Sequence, residues 1–181
     1  NDGVRYRDAR FLPAAEKKEG PADLGSTRLV TLSDESGEVE LWTLPANGVG
    51  EGTKLTSDGE VLRWEAVPSP DGKRIAHHDK NLRLWIYDVE KKTSTKIDEN
   101  TIEGFADLRW SPDGRWLAYA AWCSNLNMQL KLYDSQSGTI TPLTSDRTSS
   151  IAPAWHPGGE WLYFLSERNL ESVVGSPWGS L

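Results

Sequence analysis

The chain has 181 residues, a formal net charge of −7 and 26% charged residues, long enough for one sizeable domain. Its acidity opposes binding to nucleic acid or an anionic membrane surface, which would want a basic face. A single cysteine, Cys123, excludes an intrachain disulfide, and no apolar run approaches the roughly 18 residues of a spanning helix. The first residues, Asn1-Asp2-Gly3, are polar and lack Met, which predicts a chain that starts inside a longer one.

In chain order, the first unit is predicted to hold strands at about 4–11, 28–33, 38–44 and 53–56. A polar insertion at 14–26, with Glu16-Lys17-Lys18-Glu19-Gly20-Pro21, separates the first two, and its run of helix-forming residues is too short for a stable helix. The second unit carries predicted strands at 62–67, 73–78, 82–87 and 94–97. The third carries them at 105–110, 115–122, 128–133 and 139–143. A fourth opens with 149–155 and 160–166. Aromatic and β-branched residues between Gly- and Pro-rich turns support each assignment.

The units share a phrase. Trp110-Ser111-Pro112-Asp113-Gly114 leads into Trp116-Leu117-Ala118-Tyr119. Ser69-Pro70-Asp71-Gly72 and His156-Pro157-Gly158-Gly159 lead into similar apolar strands, and a worn copy begins at Phe11-Leu12-Pro13. Pro presets φ for a turn, Asp bonds to local backbone, and Gly takes a positive φ. The prolines stand at 13, 70, 112 and 157, so the spacings are 57, 42 and 45, the first lengthened by the insertion. Leu41-Trp42, Leu84-Trp85 and Leu130-Lys131 keep the same step. Leu55-Thr56 and Leu143-Thr144 close two units, and Ile97-Asp98 fills the slot between them.

A period of roughly 40–45 residues with several short strands per unit is the mark of a β-propeller. The predicted fold is all-β, a partial propeller of three to four four-stranded antiparallel blades. Blade 1 covers about 4–56 with the insertion 14–26, blade 2 about 61–97, blade 3 about 104–144, and an incomplete blade 4 about 149–181. Six or seven such units need roughly 260–310 residues, so this length predicts a piece of a ring. Isolated, it would leave terminal blade faces and strand edges open.

The histidines, His77, His78 and His156, have no Gly-x-Ser-x-Gly elbow beside them. Packing and turn roles are expected for them, Cys123 reads as a structural thiol, and no catalytic residue or metal set is assigned. The Asp-Gly pairs at 71–72 and 113–114 read as turns. Trp110 and Trp155 share one repeat slot with Phe11, Pro68 replaces the aromatic there, and Trp116 and Trp161 share another; inter-blade packing is the expected role of these tryptophans.

One constellation points to function. Asp8, Glu65 and Asp107 all stand five residues before their turn proline, with Ala152 in the fourth copy. The first strand of a propeller blade lines the central channel. Strand alternation puts Arg10 and Arg109 on the same face as Asp8 and Asp107. The expectation is a hydrated, channel-lining set of Asp8, Arg10, Glu65, Asp107 and Arg109, able to attract cations or peptide N-termini. The competing reading is that the carboxylates bond to neighbouring backbone or pair with Arg7, Arg10 and Arg109.

The repeat resembles TolB-like propeller repeats and lacks the Gly-His and Trp-Asp signatures of WD repeats. Tyr6-Arg7-Asp8-Ala9-Arg10-Phe11, Ser33-Asp34-Glu35-Ser36-Gly37-Glu38, Pro68-Ser69-Pro70-Asp71-Gly72 and Leu143-Thr144-Ser145-Asp146-Arg147 are similar to the seven-bladed propeller of the tricorn protease family. Trp161-Leu162-Tyr163-Phe164-Leu165-Ser166-Glu167-Arg168, continuing to Val173-Val174-Gly175-Ser176-Pro177-Trp178-Gly179, is the most specific match. The resemblance implies a non-catalytic propeller that gates and filters peptides for a serine peptidase and scaffolds its protease domains. It also implies a PDZ domain and catalytic domains elsewhere in the parent, homo-oligomeric assembly, no cofactor, and a cytoplasmic location (periplasmic if the parent carries a signal peptide). The alternatives are a TolB-type interaction propeller and the gating propeller of a prolyl-oligopeptidase-like enzyme.

Overall fold

The computed structural model describes residues 3–13 and 26–167. The insertion and the stretch beyond residue 167, Val173 to Gly179 included, lie outside the described residues. Fourteen strands and no helix occur among them. Sheet 1 runs β1 (Tyr6–Leu12), β2 (Arg28–Ser33), β3 (Glu40–Pro45) and β4 (Thr53–Lys54). Sheet 2 runs β5 (Arg63–Pro68), β6 (Arg74–Asp79), β7 (Arg83–Asp88) and β8 (Thr93–Glu99). Sheet 3 runs β9 (Phe105–Trp110), β10 (Trp116–Trp122), β11 (Met128–Asp134) and β12 (Ile140–Pro142). Sheet 4 shows β13 (Ser150–Trp155) and β14 (Leu162–Ser166). All pairings are antiparallel between consecutive strands. The fold is all-β, four meander sheets consistent with a partial β-propeller.

The repeated phrase makes the turn between the first two strands of a sheet. Gly72 and Gly114 take φ of 66° and 72°, and their N–H groups donate to the carbonyls of Ser69 and Ser111. The serine closes the turn a second time: its Oγ accepts from Arg74 N at 3.0 Å in sheet 2 and from Trp116 N at 2.8 Å in sheet 3. Asp71 and Asp113 accept from the backbone two residues on and from the serine hydroxyl. The closing Leu-Thr pairs are equally local devices. Thr56 Oγ1 and Thr144 Oγ1 each accept at 3.0 Å from the N–H of Leu41 and Leu130, so the threonine completes the edge of the third strand.

Apolar side chains fill the spaces between sheets. Val30, Leu32 and Leu41 of sheet 1 meet Ala66, Ile75 and Tyr87 of sheet 2. Val67, Leu84 and Ile86 meet Phe105, Leu108, Trp110, Leu117 and Tyr119 of sheet 3. Burial of such side chains, at about 25 cal/mol per Å² of apolar area, is the main force holding sheet to sheet. The first strands β1, β5, β9 and β13 are neighbours in that order. At the far side, sheet 4 leaves Trp161 (66%), Tyr163 (58%) and Leu165 (64%) exposed.

Candidate functional site

The slot five residues before the turn proline has an unusual backbone. Asp8, Glu65, Asp107 and Ala152 have φ of 54°, 50°, 57° and 52°, the left-handed region that side chains other than Gly, Asn and Asp resist. Each first strand shifts register there against its partner: between Arg7 and Arg10, between Trp64 and Val67, opposite Ala118 to Ala120, and between Ile151 and Ala154. The slot is a β-bulge repeated four times. A bulge leaves a residue unpaired within its own sheet and re-aims it.

The freed groups find partners in the next sheet. Asp8 Oδ2 accepts from Ala66 N at 2.6 Å, and Asp107 Oδ2 accepts from Ala152 N at 2.9 Å. Glu65 departs from this pattern: its Oε2 is buried with no hydrogen-bond partner among the described residues, and its Oε1 lies 4.0 Å from Arg10 Nη2. The Asp8 and Asp107 carboxylates thus each reach a backbone donor at or just after the following bulge. Sequence spacing finds the slot but not the bulge, because nothing in Asp, Glu or Ala announces a positive φ as Gly would.

Of the five residues expected to share a face, the structure brings three together at the first junction. Arg10 Nη2 stands 3.2 Å from Asp8 Oδ1 and 4.0 Å from Glu65 Oε1, and Arg10 Nε donates to Asp8 at 3.2 Å. All three side chains are about one-third exposed, at 34%, 28% and 27% for Arg10, Asp8 and Glu65. Regular strand alternation is interrupted between Arg7 and Arg10, and Asp8 and Arg10 meet across the bulge. Burial pushes the Glu65 carboxyl up, opposed by Arg10, the Leu108 N–H and Arg109, while Asp8 adds to the rise. Asp107 is joined to sheet 4, and Arg109 Nη1 donates to the Leu108 carbonyl at 2.8 Å. Both halves of the competing reading, backbone bonds and the Arg10 pair, are present.

A second device recurs two residues before the proline. Trp110 Nε1 donates to Val67 O at 3.0 Å, and Trp155 Nε1 donates to Arg109 O at 3.2 Å, each reaching the preceding sheet. Pro68 has no such donor, and Phe11 is 63% exposed. At that junction Arg7 instead packs over the Trp64 ring, 5.5 Å from its centroid. Trp116, expected between blades, is covered by its own neighbour Arg115 at 4.5 Å.

The remaining candidates have structural surroundings. His77 and His78 are buried; burial lowers their pKa to about 3 and about 4, with Arg63 adding to the first and Asp79 opposing the second. His156 Nδ1 sits 2.9 Å from Glu160 Oε2 and accepts from Gly158 N, inside its turn. Burial raises the Cys123 thiol. Among the described residues no group of three or more His, Cys, Asp or Glu is placed to hold a metal ion. Sequence reading missed a buried ion pair: Arg63 Nη1 meets Glu40 Oε2 at 2.6 Å, with Thr56 Oγ1, Gly59 N and Asp58 completing it. It occurs once, so no repeat signal could mark it.

The repeated bulge and its carboxylate link can be set beside known proteins. Residues 1–178 match the family model described as the tricorn protease second beta propeller domain. The chain belongs to that family. A protein of Sulfurisphaera tokodaii described as a tricorn-like protease C-terminal subunit is 31% identical over 170 residues, covering 93% of this chain and 18% of its own length. The tricorn protease homolog of Saccharolobus solfataricus is 26% identical over 170 residues, again 93% of this chain and 14% of the relative. The chain therefore spans less than a fifth of these relatives. Among solved structures, the tricorn protease crystal structure superposes with a TM-score of 0.68 at 19% identity, over 78% of this chain and 14% of the other. That likeness concerns the fold.

Proposed function

We propose that this chain is a non-catalytic propeller portion of a tricorn-like serine peptidase, that it admits and screens peptides, and that it scaffolds the protease domains. The observation that carries the reading is the recurrence of an acidic bulge on neighbouring first strands in a member of the tricorn second-propeller family. In a closed ring, first strands surround the central channel. The one-third exposure of Asp8, Arg10 and Glu65 leaves part of each charge facing water, while the rest ties one sheet to the next. A wet face of mixed but acid-rich charge attracts peptide N-termini and basic side chains and repels acidic ones.

The remaining blades, a PDZ domain and the peptidase domains belong to the rest of the parent chain in this proposal. The parent assembles as a homo-oligomer and works in the cytoplasm. Peptides are its ligands, and the propeller needs no cofactor.

The test uses the full-length parent carrying Asp8→Asn, Glu65→Gln and Asp107→Asn together. The amide oxygens introduced at positions 8 and 107 keep acceptors for Ala66 and Ala152 while the charge is removed. Hydrolysis of a basic decapeptide is expected to slow several-fold at low salt and to converge with the parent at high salt. Turnover of a dipeptide-sized substrate is expected to be unchanged. Equal loss on both substrates, or no salt dependence, would refute the filter.

A further inference from the structure

A cavity of about 540 Å³ opens between sheets 2 and 3, bordered by Trp64, His78, Glu103, Ala106 and Trp122. Its origin lies in the position six residues before the turn proline. That position holds Arg7 in sheet 1, Trp64 in sheet 2 and Ala106 in sheet 3. Between sheets 1 and 2 the guanidinium of Arg7 packs over the Trp64 ring. Between sheets 2 and 3 Trp64 takes the place of Arg7 and Ala106 that of Trp64, so the indole faces only a methyl group and the space beside it is left open.

The lining is suited to a cation. Glu65, Asp79, Glu103 and Asp107 border it against a single Lys80. Asp79 is occupied by the Trp85 indole and the Arg83 N–H and Asp107 by the Ala152 N–H, whereas Glu65 Oε2 is buried with no hydrogen-bond partner among the described residues and Glu103 is exposed. Trp64 is 38% exposed, and Trp122 stands across the cavity on β10. Two indoles with nearby carboxylates favour a cation over a neutral or anionic group. His78 also lines the cavity. It is 8% exposed, and its Nδ1 has no hydrogen-bond partner among the described residues. Burial keeps its ring uncharged, so it does not oppose a cation and holds one unsatisfied polar atom against this space.

We propose that this cavity binds a guanidinium group, the side chain of an arginine in a peptide, against the Trp64 and Trp122 rings and within reach of the carboxylates that border them. The peptide as its source rests on the function proposed above; the guanidinium chemistry does not. The site distinguishes arginine-bearing peptides from acidic ones before they reach any catalytic domain.

Calorimetric binding to the full-length chain tests this with three probes: a blocked pentapeptide of glycine with one central D-arginine, its D-glutamate counterpart, and ethylguanidinium. The arginine peptide and ethylguanidinium are expected to bind, the glutamate peptide at least about tenfold more weakly. Ala106→Arg should place an internal guanidinium beside Trp64 and abolish binding at this site. Trp122→Leu and Glu103→Gln, both at the rim, should each weaken it by roughly threefold to tenfold. Thermal unfolding checks that each variant is folded, and the two rim variants carry the test if Ala106→Arg is not. Undiminished binding of the arginine peptide to folded Ala106→Arg, or to both rim variants, would overturn the cavity as the site and leave peptide handling standing. Binding of ethylguanidinium that Ala106→Arg removes, with no peptide bound, would uphold the cavity and remove the peptide reading. Equal affinity for the arginine and glutamate peptides would overturn the charge selection.

Discussion

Asp8 accepts a 2.6 Å hydrogen bond from the backbone N–H of Ala66, a residue 58 positions away in the next sheet. The two residues follow from one local distortion used twice: the bulge at Asp8 re-aims the carboxylate, and the bulge at Glu65 frees the N–H just after it. Asp107 and Ala152 repeat the arrangement two sheets on. A bulge of this kind strains the backbone by roughly 1–2 kcal/mol for a residue other than Gly, and the charge-assisted bond across the junction offsets it by a similar amount.

Removing that acceptor should loosen the junction between sheets 1 and 2. Asp8→Ala is expected to lower stability by about 1–3 kcal/mol, since a partly buried N–H loses its partner and Arg10 loses its nearest carboxylate. Asp8→Asn should cost less. Urea unfolding of the full-length chain, read at both substitutions, checks the order.

The indole links predict a graded effect. Trp110 is 8% exposed and its Nε1–H serves Val67 O. Trp110→Phe leaves a buried carbonyl short of a donor and a smaller ring in the core, so a loss of about 2 kcal/mol is expected. Trp155→Phe should cost less than half of this, because its link lies at an exposed junction. Equal losses in thermal unfolding would contradict the role assigned to Trp110.

Gly72 is fixed by a contact rather than by its turn alone. A Cβ there would lie 1.9 Å from the Pro13 carbonyl oxygen, and φ is +66°. Gly72→Ala must move the turn away from sheet 1 and is expected to cost more than about 2 kcal/mol. Gly138→Ala is the control. It has a similar φ of +73° and open space around it, so it should cost only about 1 kcal/mol.

Acid should unfold the protein through its buried histidines. His77 and His78 titrate near 3 and near 4 when folded, below the ordinary 6.5. The unfolded chain therefore takes up protons first. Their contribution is fully present above pH 6.5 and is lost as pH falls toward 4 and then 3. The slope is about 1.4 kcal/mol per pH unit for each histidine in that window. Facing groups set the details: Arg63 near His77 and Asp79 near His78. Glu65, whose folded carboxyl is raised, works in the opposite sense and regains some stability as pH falls. His77→Leu should roughly halve the slope between pH 6 and 4.5, and an unchanged slope in denaturant titrations would exclude the assignment.

The strands were legible because each is bounded by a turn whose chemistry is local. Ser69-Pro70-Asp71-Gly72 closes itself through its own side chains, so the sequence shows it without any tertiary knowledge. The acidic slot was legible by spacing. Its geometry was not, since alternation presumes a regular strand and Asp8, Glu65 and Asp107 sit where the strand is irregular. The Glu40–Arg63 pair joins residues that no period relates, and the 2% exposure of His77 is not marked by its residue type. Local physics is written in the residues that make it; contacts between sheets are written only where the repeat copies them.

The most direct measurement is the structure of the full-length parent protein. The account predicts a closed propeller in which the side chains of Asp8, Glu65 and Asp107 border the central channel while the Asp8 and Asp107 carboxylates hold the backbone of the next blade. Carboxylates enclosed between blades, or standing on the outer surface away from any channel, would contradict it.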